Sequence, residues 1–461
     1  MHNSDSFKKL YKEAIDKAGG VTNVKSRVMI ATIYFALFFR VKKGVESIEV
    51  HSQISKDMYK FGDISTSTGI SNLRIPAHSC FILKNNPYYD SLYRAKETAQ
   101  ILKKEFPEAK LFFLYEGMGQ LTNKVIREAK KEKYVEIWEF RKFLEHIERI
   151  KRINDQIEKF DRDWHDKREC ILDCAKSSFR ENKCSLFLGA GVSIDAGGPT
   201  WDDLLYKAIK KNHKRFTKND FNKLYSSCGQ SPIILGRYIA PDKKSLDQIT
   251  DYIQQYVLYK GVDLKKSELI KAICEFVETD KVESIITYNY DDLVETAIRL
   301  RGYKQAYSVV AKSRNTSNEL PVYHVHGLIP HNKSEIASFP VLSEKDYHDI
   351  YRESYHWSNI EQLHALDRNS CFFIGLSMTD PNLRRLLDFS YSGNDNEIYH
   401  YAFLKRDMLF PSDNVEKNKQ HFDMIEQQLE RIGVWVIWYE QYKEVPQMIR
   451  KIIAPLKLVT V

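Results

Sequence analysis

The chain has 461 residues, 43% of them hydrophobic and 12% aromatic, which is enough for two or three domains with sizeable cores. Its 70 basic and 62 acidic residues leave a net charge of +8, which permits an acidic ligand but does not mark the chain as a nucleic-acid binder. Seven scattered cysteines, an odd number, argue for reduced thiols and a cytoplasmic location and against a disulfide framework.

The polar start, Met1 to Ser6, lacks the apolar core of a signal peptide. The most apolar window, Val28 to Phe39, is too short to span a bilayer and reads as a buried helix. Helices are predicted over residues 5 to 19 and Lys25 to Arg40. From Lys42 to about Tyr89 the pattern supports no assignment, and Ile64 to Gly69 reads as a loop. Leu92 to Phe106 is helical and stops before Pro107, Lys110 to Tyr115 is a strand, Leu121 to Lys133 a helix and Tyr134 to Trp138 a strand. This alternation predicts a small α/β unit, or a mostly helical one if the early helices dominate. Phe143, Ile147, Ile150, Ile153, Ile157, Phe160 and Trp164 recur at intervals of three and four, the seam of a long amphipathic helix. It can pack on its own N-terminal domain or on another subunit. The expected boundary lies near Asp166, dividing the chain into residues 1–166 and 167–461, with a first helix from Lys167 to Arg180.

Cys184 to Trp201 is the stretch around which the second part is organised. Leu186, Phe187 and Leu188 read as a buried strand that stops at Gly189-Ala190-Gly191. A second break falls at Gly197-Gly198-Pro199, and Thr200, three residues before Asp203, suits the N-cap of a helix from Trp201 to about Lys211. Strand, glycine turn and helix start would form a cradle for a phosphate, whose charge meets backbone amides and the helix dipole, or they are a plain strand-to-helix turn. Ile194 occupies the third position of a G-x-G-x-x-G pattern, and no Gly-Lys-Ser/Thr follows, so neither common nucleotide motif is complete. Lys207 to Lys218 carries Lys207, Lys210, Lys211, Lys214, Arg215 and Lys218 with no acid and reads as a solvated helix face, with binding of nucleic acid or a nucleotide phosphate as the alternative. Residues 219 to 280 look mostly helical, an insertion or lid.

Ile285 to Asp291 is a strand running into the polar turn Thr287-Tyr288-Asn289-Tyr290-Asp291, then a helix ending at Gly302. Val322 to Gly327 is an alternating strand that ends on His324-Val325-His326-Gly327, with both histidines expected on one face. Cys371 to Ser377 is an apolar strand followed by Asp380-Pro381-Asn382, with Pro381 suited to the first position of a helix reaching about Tyr391. A strand at Ile398 to Leu404, a helix at His421 to Ile432, a strand at Val434 to Trp438 and a helix at Val445 to Ile453 complete the chain. The whole half reads as a doubly wound, Rossmann-like parallel sheet, with its polar clusters at carboxyl ends of strands where such sheets bind ligands.

In order and spacing, the GAG-x-S, T-x-N-x-D, H-G and G-x-S segments resemble the sirtuin family. The versions here are most similar to the sirtuin-like domains of bacterial antiphage-defence proteins, over residues 168 to 458. The resemblance implies NAD binding, with His326 as the catalytic histidine and Asn289 acting on a ribose or on water. Gly189, Ala190, Gly191 and Ser193 would hold the pyrophosphate beside the helix start at Thr200 and Trp201. Asp291 would lie by the nicotinamide carboxamide, and Gly375, Ser377 and Asp380 would border the adenosine ribose. On the residues alone, Asn289 could be a turn asparagine, Asp291 and Asp380 helix caps, and His324 a packing residue. Deacylating sirtuins carry two C-x-x-C pairs after H-G, whereas this chain has no cysteine between Gly327 and Ser370. No metal is therefore expected, and a metal site at His324 and His326 lacks further ligands in the pattern. The expected activity is an NAD+ glycohydrolase giving nicotinamide and ADP-ribose, regulated by its N-terminal region, an oligomer or a partner protein. A deacylase, an ADP-ribosyltransferase and a non-catalytic NAD-binding module are the competing readings.

Overall fold

The computed structural model describes residues 48–50, 64–66, 74–85, 89–116, 120–131, 135–139, 164–229, 231–239, 243–302, 305–311, 319–332, 338, 340–353, 355–392, 398–410 and 414–454. The helices expected at 5 to 19 and 25 to 40, and the seam from Phe143 to Phe160, lie outside the described residues.

Five strands form a first sheet: β1 Ile48–Val50, β2 Ile64–Thr66, β3 Cys80–Asn85, β4 Leu111–Glu116 and β5 Val135–Glu139, side by side in chain order. β1, β2 and β3 pair antiparallel, and β3, β4 and β5 pair parallel across the helices Tyr89–Glu105 and Gln120–Ala129. The α/β alternative thus holds for the described part of the first unit. Two readings are corrected: Ile64 to Thr66 is strand, and the unassigned stretch before Tyr89 contains β3. Pairing with β4 over its whole length, and burial of Phe81 and Leu83, hold β3 in place.

Seven parallel strands form the second sheet: β6 Cys184–Leu188, β7 Val282–Thr287, β8 Gln305–Val309, β9 Glu319–His324, β10 Ser370–Ile374, β11 His400–Lys405 and β12 Val434–Tyr439. Their order is β12-β11-β10-β6-β7-β9-β8. Apolar runs fill these strands because both faces are covered. Leu186, Leu188, Ile285, Val322, Phe372, Phe403 and Ile437 belong to one core, shared with the helices Trp164–Glu181, Glu268–Val277 and Glu444–Ile453. Phe187, Ile286, Tyr323, Phe373, Ala402 and Val436 belong to another, shared with Trp357–Arg368, Pro381–Ser392 and Val415–Glu430. Alternate residues of each strand feed opposite cores, which is double winding in side-chain terms. Phe81, Leu83, Phe112 and Leu114 of the first sheet join the first of these cores.

The chain enters the second sheet at β6, goes to one side through β7, β8 and β9, then returns to β10 on the other. The gap between the ends of β6 and β10 is therefore the topological switch point. The edge strand β8 carries no expectation from the sequence. The helical insertion is present as Lys218–Ser227, Pro232–Ile239, Lys243–Ile253 and Glu268–Val277, with a π-helical turn at Gln254–Leu258. Its first three helices share a separate core with Leu204, Leu205, Tyr290, Ile329 and Leu342. The seven cysteines are buried and none is in a disulfide. Among the described residues no helix is long and apolar enough to cross a membrane.

Candidate active site

The turns after β6 and β10 interlock through glycine. Gly189 N–H donates to Ile374 O at 3.0 Å and Gly191 N–H to Gly375 O at 3.0 Å. A Cβ on Gly191 would stand 2.7 Å from Gly375 Cα, and one on Gly375 would stand 2.8 Å from Val192 N. Gly375 also has φ +69°, in the left-handed region. These glycines let two backbones cross at the switch point, where the Gly191 amide donates to Gly375 O and a Cβ at 375 would meet the Gly191 turn. The short helix Ala190–Asp195, which follows Gly189 directly, is an element the sequence reading did not include, and the helix Trp201–Asn212 starts where the sequence places it. Thr200 is the exposed N-cap of the latter, accepting from Asp203 N–H at 3.1 Å, and Trp201 packs on Tyr290 at 5.5 Å. Both lie apart from the hydrogen-bonded cluster described next.

Beneath the crossing, Ser193, Asn289 and Asp291 are buried and joined. Asn289 Nδ2 donates to Gly189 O at 3.0 Å and to Ser193 Oγ at 2.8 Å, and Ser193 Oγ donates to Asp291 Oδ2 at 2.6 Å. Both amide hydrogens of Asn289 are engaged, so Oδ1 is the atom it can offer a ligand. Asp291 Oδ1 accepts from Leu293 N–H at 3.3 Å at the start of the helix Leu293–Arg301, so a capping role is real. Burial pushes the Asp291 carboxyl up to about 6, against the pull of its hydrogen bonds to Ser193 and Leu293. The Ser193 proton goes to Asp291, which leaves the hydroxyl as an organiser of the cluster.

β9 ends at His324, and the two histidines part company there. His324 is sealed in the core, its Nε2 2.7 Å from Glu295 Oε1 and its Nδ1 3.3 Å from Asn289 O. Ser308 Oγ also donates to Glu295 Oε1 at 2.8 Å. Both ring nitrogens of His324 face acceptors, so both carry protons. Burial opposes that charge, but the Glu295 carboxylate outweighs it and raises the His324 pKa. Glu295 answers in kind: burial would raise it, and His324 brings it below the ordinary carboxylate range.

His326 lies in the turn beyond β9 with 12% of its side chain exposed. The edge-on rings of Tyr288 and Tyr347 flank it, with centroids at 4.7 and 5.3 Å. Its Nε2 is 3.4 Å from Tyr347 Oη and 3.8 Å from Asp380 Oδ2, and Tyr347 donates to Asp380 Oδ2 at 2.8 Å. Burial lowers the His326 pKa and Asp380 partly restores it, so the ring is neutral near pH 7. Asp380 Oδ1 accepts from Leu383 N–H at 2.8 Å, capping the helix Pro381–Ser392. Ser377 lies at the exposed rim, bonded to Thr379 at 2.7 Å. Sequence reading did not find Glu295, Ser308, Tyr288 or Tyr347. Tyr288 lay inside the T-x-N-x-D turn, and Tyr347 had a nearby signal in Ser343 and Asp346, whose capping box starts its helix, Glu344–Arg352. His324 does have the carboxylate neighbour that its pattern seemed to lack, but no group of three or more candidate metal ligands occurs among the described residues.

Residues 283–432 match the model of the SIR2-like domain. That segment holds β7 to β11 and three of the four motifs; the glycine turn precedes it and joins through the sheet. The chain is homologous to the "NAD(+) hydrolase ThsA" of Enterococcus faecium, 23% identical over 290 residues, covering 60% of this chain and 56% of the relative. The protein of the same name from Bacillus cereus (strain MSX-D12) is 25% identical over 304 residues, covering 63% and 58%. "Defense-associated sirtuin 2" of Bacillus subtilis is 24% identical over 255 residues, covering 52% of this chain and 22% of the relative. The chain thus spans less than three fifths of the hydrolases it matches.

Proposed function

We propose that the chain hydrolyses NAD+ at the bond between nicotinamide and ribose, as an effector of antiphage defence. The observation that carries this reading is that a neutral histidine, His326, packs its ring on Tyr288, the residue next to Asn289, whose amide hydrogens are taken by Gly189 and Ser193 so that its oxygen is left to face a ligand. In this reading His326 serves as the base and Asn289 holds the attacking water. The hydrolase relatives support the same reading.

NAD+ would lie across the ends of β6 and β10, its pyrophosphate beside Ala190 and Gly191 and its adenosine ribose toward Gly375 and Ser377. Asp291 would face the carboxamide. The C1′–N bond breaks with its electron pair leaving on nicotinamide, which departs neutral. Water bonds to C1′, held by Asn289 Oδ1, and its proton passes to His326 and then to solvent. The barrier is lowered because positive charge moves from the nicotinamide ring onto the ribose in a site where Asp291 and the polar turn replace bulk water. Thr200 and Trp201 act at the rim, through the helix they begin. No metal is called for in these steps.

Residues 1–166 form the regulatory domain of this reading, and residues 167–461 the catalytic one. A homo-oligomer or a partner protein supplies the trigger, in the cytoplasm. Product chromatography of NAD+ incubated with the full chain tests the proposal: nicotinamide and ADP-ribose in equal amounts support it. An acetyl-lysine-dependent product, or unchanged NAD+ under every activating condition, counts against it.

A further inference from the structure

Asp380, Tyr347 and His326 form a one-way chain of hydrogen bonds. A carboxylate only accepts, so the single phenolic proton of Tyr347 goes to Asp380 Oδ2 at 2.8 Å. The Tyr347 oxygen then presents a lone pair to His326 Nε2 at 3.4 Å. A neutral imidazole has one N–H, and here it must sit on Nε2. Nδ1 is left with the lone pair that a base needs. Tyr347 is almost fully buried, and burial together with Asp380 holds its hydroxyl protonated far above neutral pH. The acceptor beneath it is fixed in turn, because the other Asp380 oxygen caps the helix Pro381–Ser392.

We propose that Tyr347, backed by Asp380, is the positioning residue that sets the tautomer of His326 and directs its base function to Nδ1. Bases in hydrolytic sites are commonly oriented by a third group that accepts from their far nitrogen. Here a tyrosine relays that role from a carboxylate that sits 3.8 Å from the histidine nitrogen. The inference rests on the reading of His326 as the base of NAD+ cleavage, but the tautomer is a property of the protein by itself.

The test uses the full-length protein and two conservative variants. Tyr347→Phe keeps the ring and removes the relay. Asp380→Asn keeps an oxygen for Leu383 N–H and turns an amide toward Tyr347. That amide donates to the phenol, whose proton then goes to His326 Nε2 and reverses the chain. Long-range ¹H–¹⁵N spectra of histidine-labelled protein read the tautomer, with the His326 signal assigned by its loss in His326→Gln. Wild type is expected as the Nε2–H form, Tyr347→Phe as a mixture and Asp380→Asn as Nδ1–H. In steady-state turnover, kcat falls about 10- to 100-fold in Tyr347→Phe with KM nearly unchanged, and further in Asp380→Asn. An Nδ1–H wild type, or a Tyr347→Phe variant with wild-type kcat and an unchanged tautomer, overturns the proposal. If the wild type releases no nicotinamide, the reading of the activity fails while the spectra still decide the tautomer.

Discussion

Glu295 and His324 form an ion pair sealed from solvent, Oε1 to Nε2 2.7 Å, with the side chains 1% and 0% exposed. The histidine's other nitrogen holds the Asn289 carbonyl, so the pair fixes the turn that carries the proposed water-holding residue. Glu295→Ala leaves a buried imidazolium without its carboxylate partner and is expected to cost about 3–5 kcal/mol. The sign of its pH dependence follows from the two shifts. His324, raised, stabilises fully below its unfolded pKa and loses that contribution as pH rises through its folded value. Glu295, lowered, stabilises above its unfolded pKa and loses that as pH falls through its folded value. The stability gap between wild type and variant should therefore be widest between about pH 4.3 and 6.5. Thermal melts across pH 4 to 9 check it, and a gap that is constant with pH would remove the ionic assignment.

His326→Ala and Asn289→Ala should each lower NAD+ turnover by about 10²–10⁴-fold, the range for one group acting on the proton or the water in flight. The His326 side chain makes one long hydrogen bond, to Tyr347, besides its ring contacts, so His326→Ala should lower Tm less than Asn289→Ala does. Asn289→Ala removes the bonds to Gly189 and Ser193 and should lower Tm as well. Near-wild-type turnover in a folded His326→Ala protein contradicts the assignment.

Asp291 gives a second pH handle. Its carboxyl ionises at about 6 in the folded chain, well above an ordinary aspartate. Folded protein holds that proton more tightly, so this group stabilises fully below its unfolded pKa. Stability worth about 3 kcal/mol is lost as pH rises from about 4 to beyond 6. Urea unfolding at a series of pH values should show that slope, and Asp291→Asn should abolish it. The same ionisation, with His326 below its usual pKa, predicts an acid limb of kcat/KM centred near or under pH 6. An acid limb centred above 7 refutes this.

The glycines offer a paired comparison. Gly375→Ala forces a Cβ to 2.8 Å from the Val192 nitrogen at φ +69°, while Gly302→Ala has the same φ but nothing within 4 Å. Gly302→Ala should cost about 1 kcal/mol from backbone strain, and Gly375→Ala about 1–3 kcal/mol more, with loss of NAD+ turnover. Equal costs would mean that the crossing of the two turns can relax.

These predictions draw unequally on the sequence. The second sheet was legible because a buried parallel strand is an apolar run, and in β6, β7 and β10 such a run stops at a polar or glycine turn. His326 was legible from the glycine that follows it. Tyr347 and Glu295 were not, since each occupies an ordinary helical position and acquires meaning only when its helix packs against the end of β9. The glycine turn was legible as a break in an apolar run, but its partner was not: a neighbouring backbone demands a missing Cβ just as an anion does, and the pairing of Gly191 with Gly375 appears only in the fold. The edge strand β8 escaped because Gln305 to Val309 is short and half polar, its register set by β9 alone. β3 lay in plain view as the apolar run Cys80 to Leu83, hidden by the irregular residues before it.

The last prediction concerns control. A free-running NAD+ hydrolase would exhaust the cofactor of its own cell, so the proposed activity needs restraint. We propose that the first sheet exerts it. Phe81 stacks on Phe112 at 4.9 Å, Trp138 tilts onto Phe112 at 4.8 Å, and these rings join the core that contains Cys170 and Ile171 of the helix Trp164–Glu181. That helix leads directly into β6 and the glycine turn, so a shift at the first sheet has a rigid path to the site. Moving such a protein from mostly off to mostly on needs a trigger that binds the active state about 10⁴-fold more tightly. A protein interface can provide that more readily than a single small contact. Trimming the joint with Trp138→Ala should raise basal NAD+ turnover and lower the further gain from any trigger, while leaving KM unchanged. The measurement is nicotinamide release by full-length wild type and variant, with oligomeric state followed by light scattering. Identical basal rates and identical responses, in a variant whose melting shows the joint weakened, would mean that the first sheet does not restrain the site.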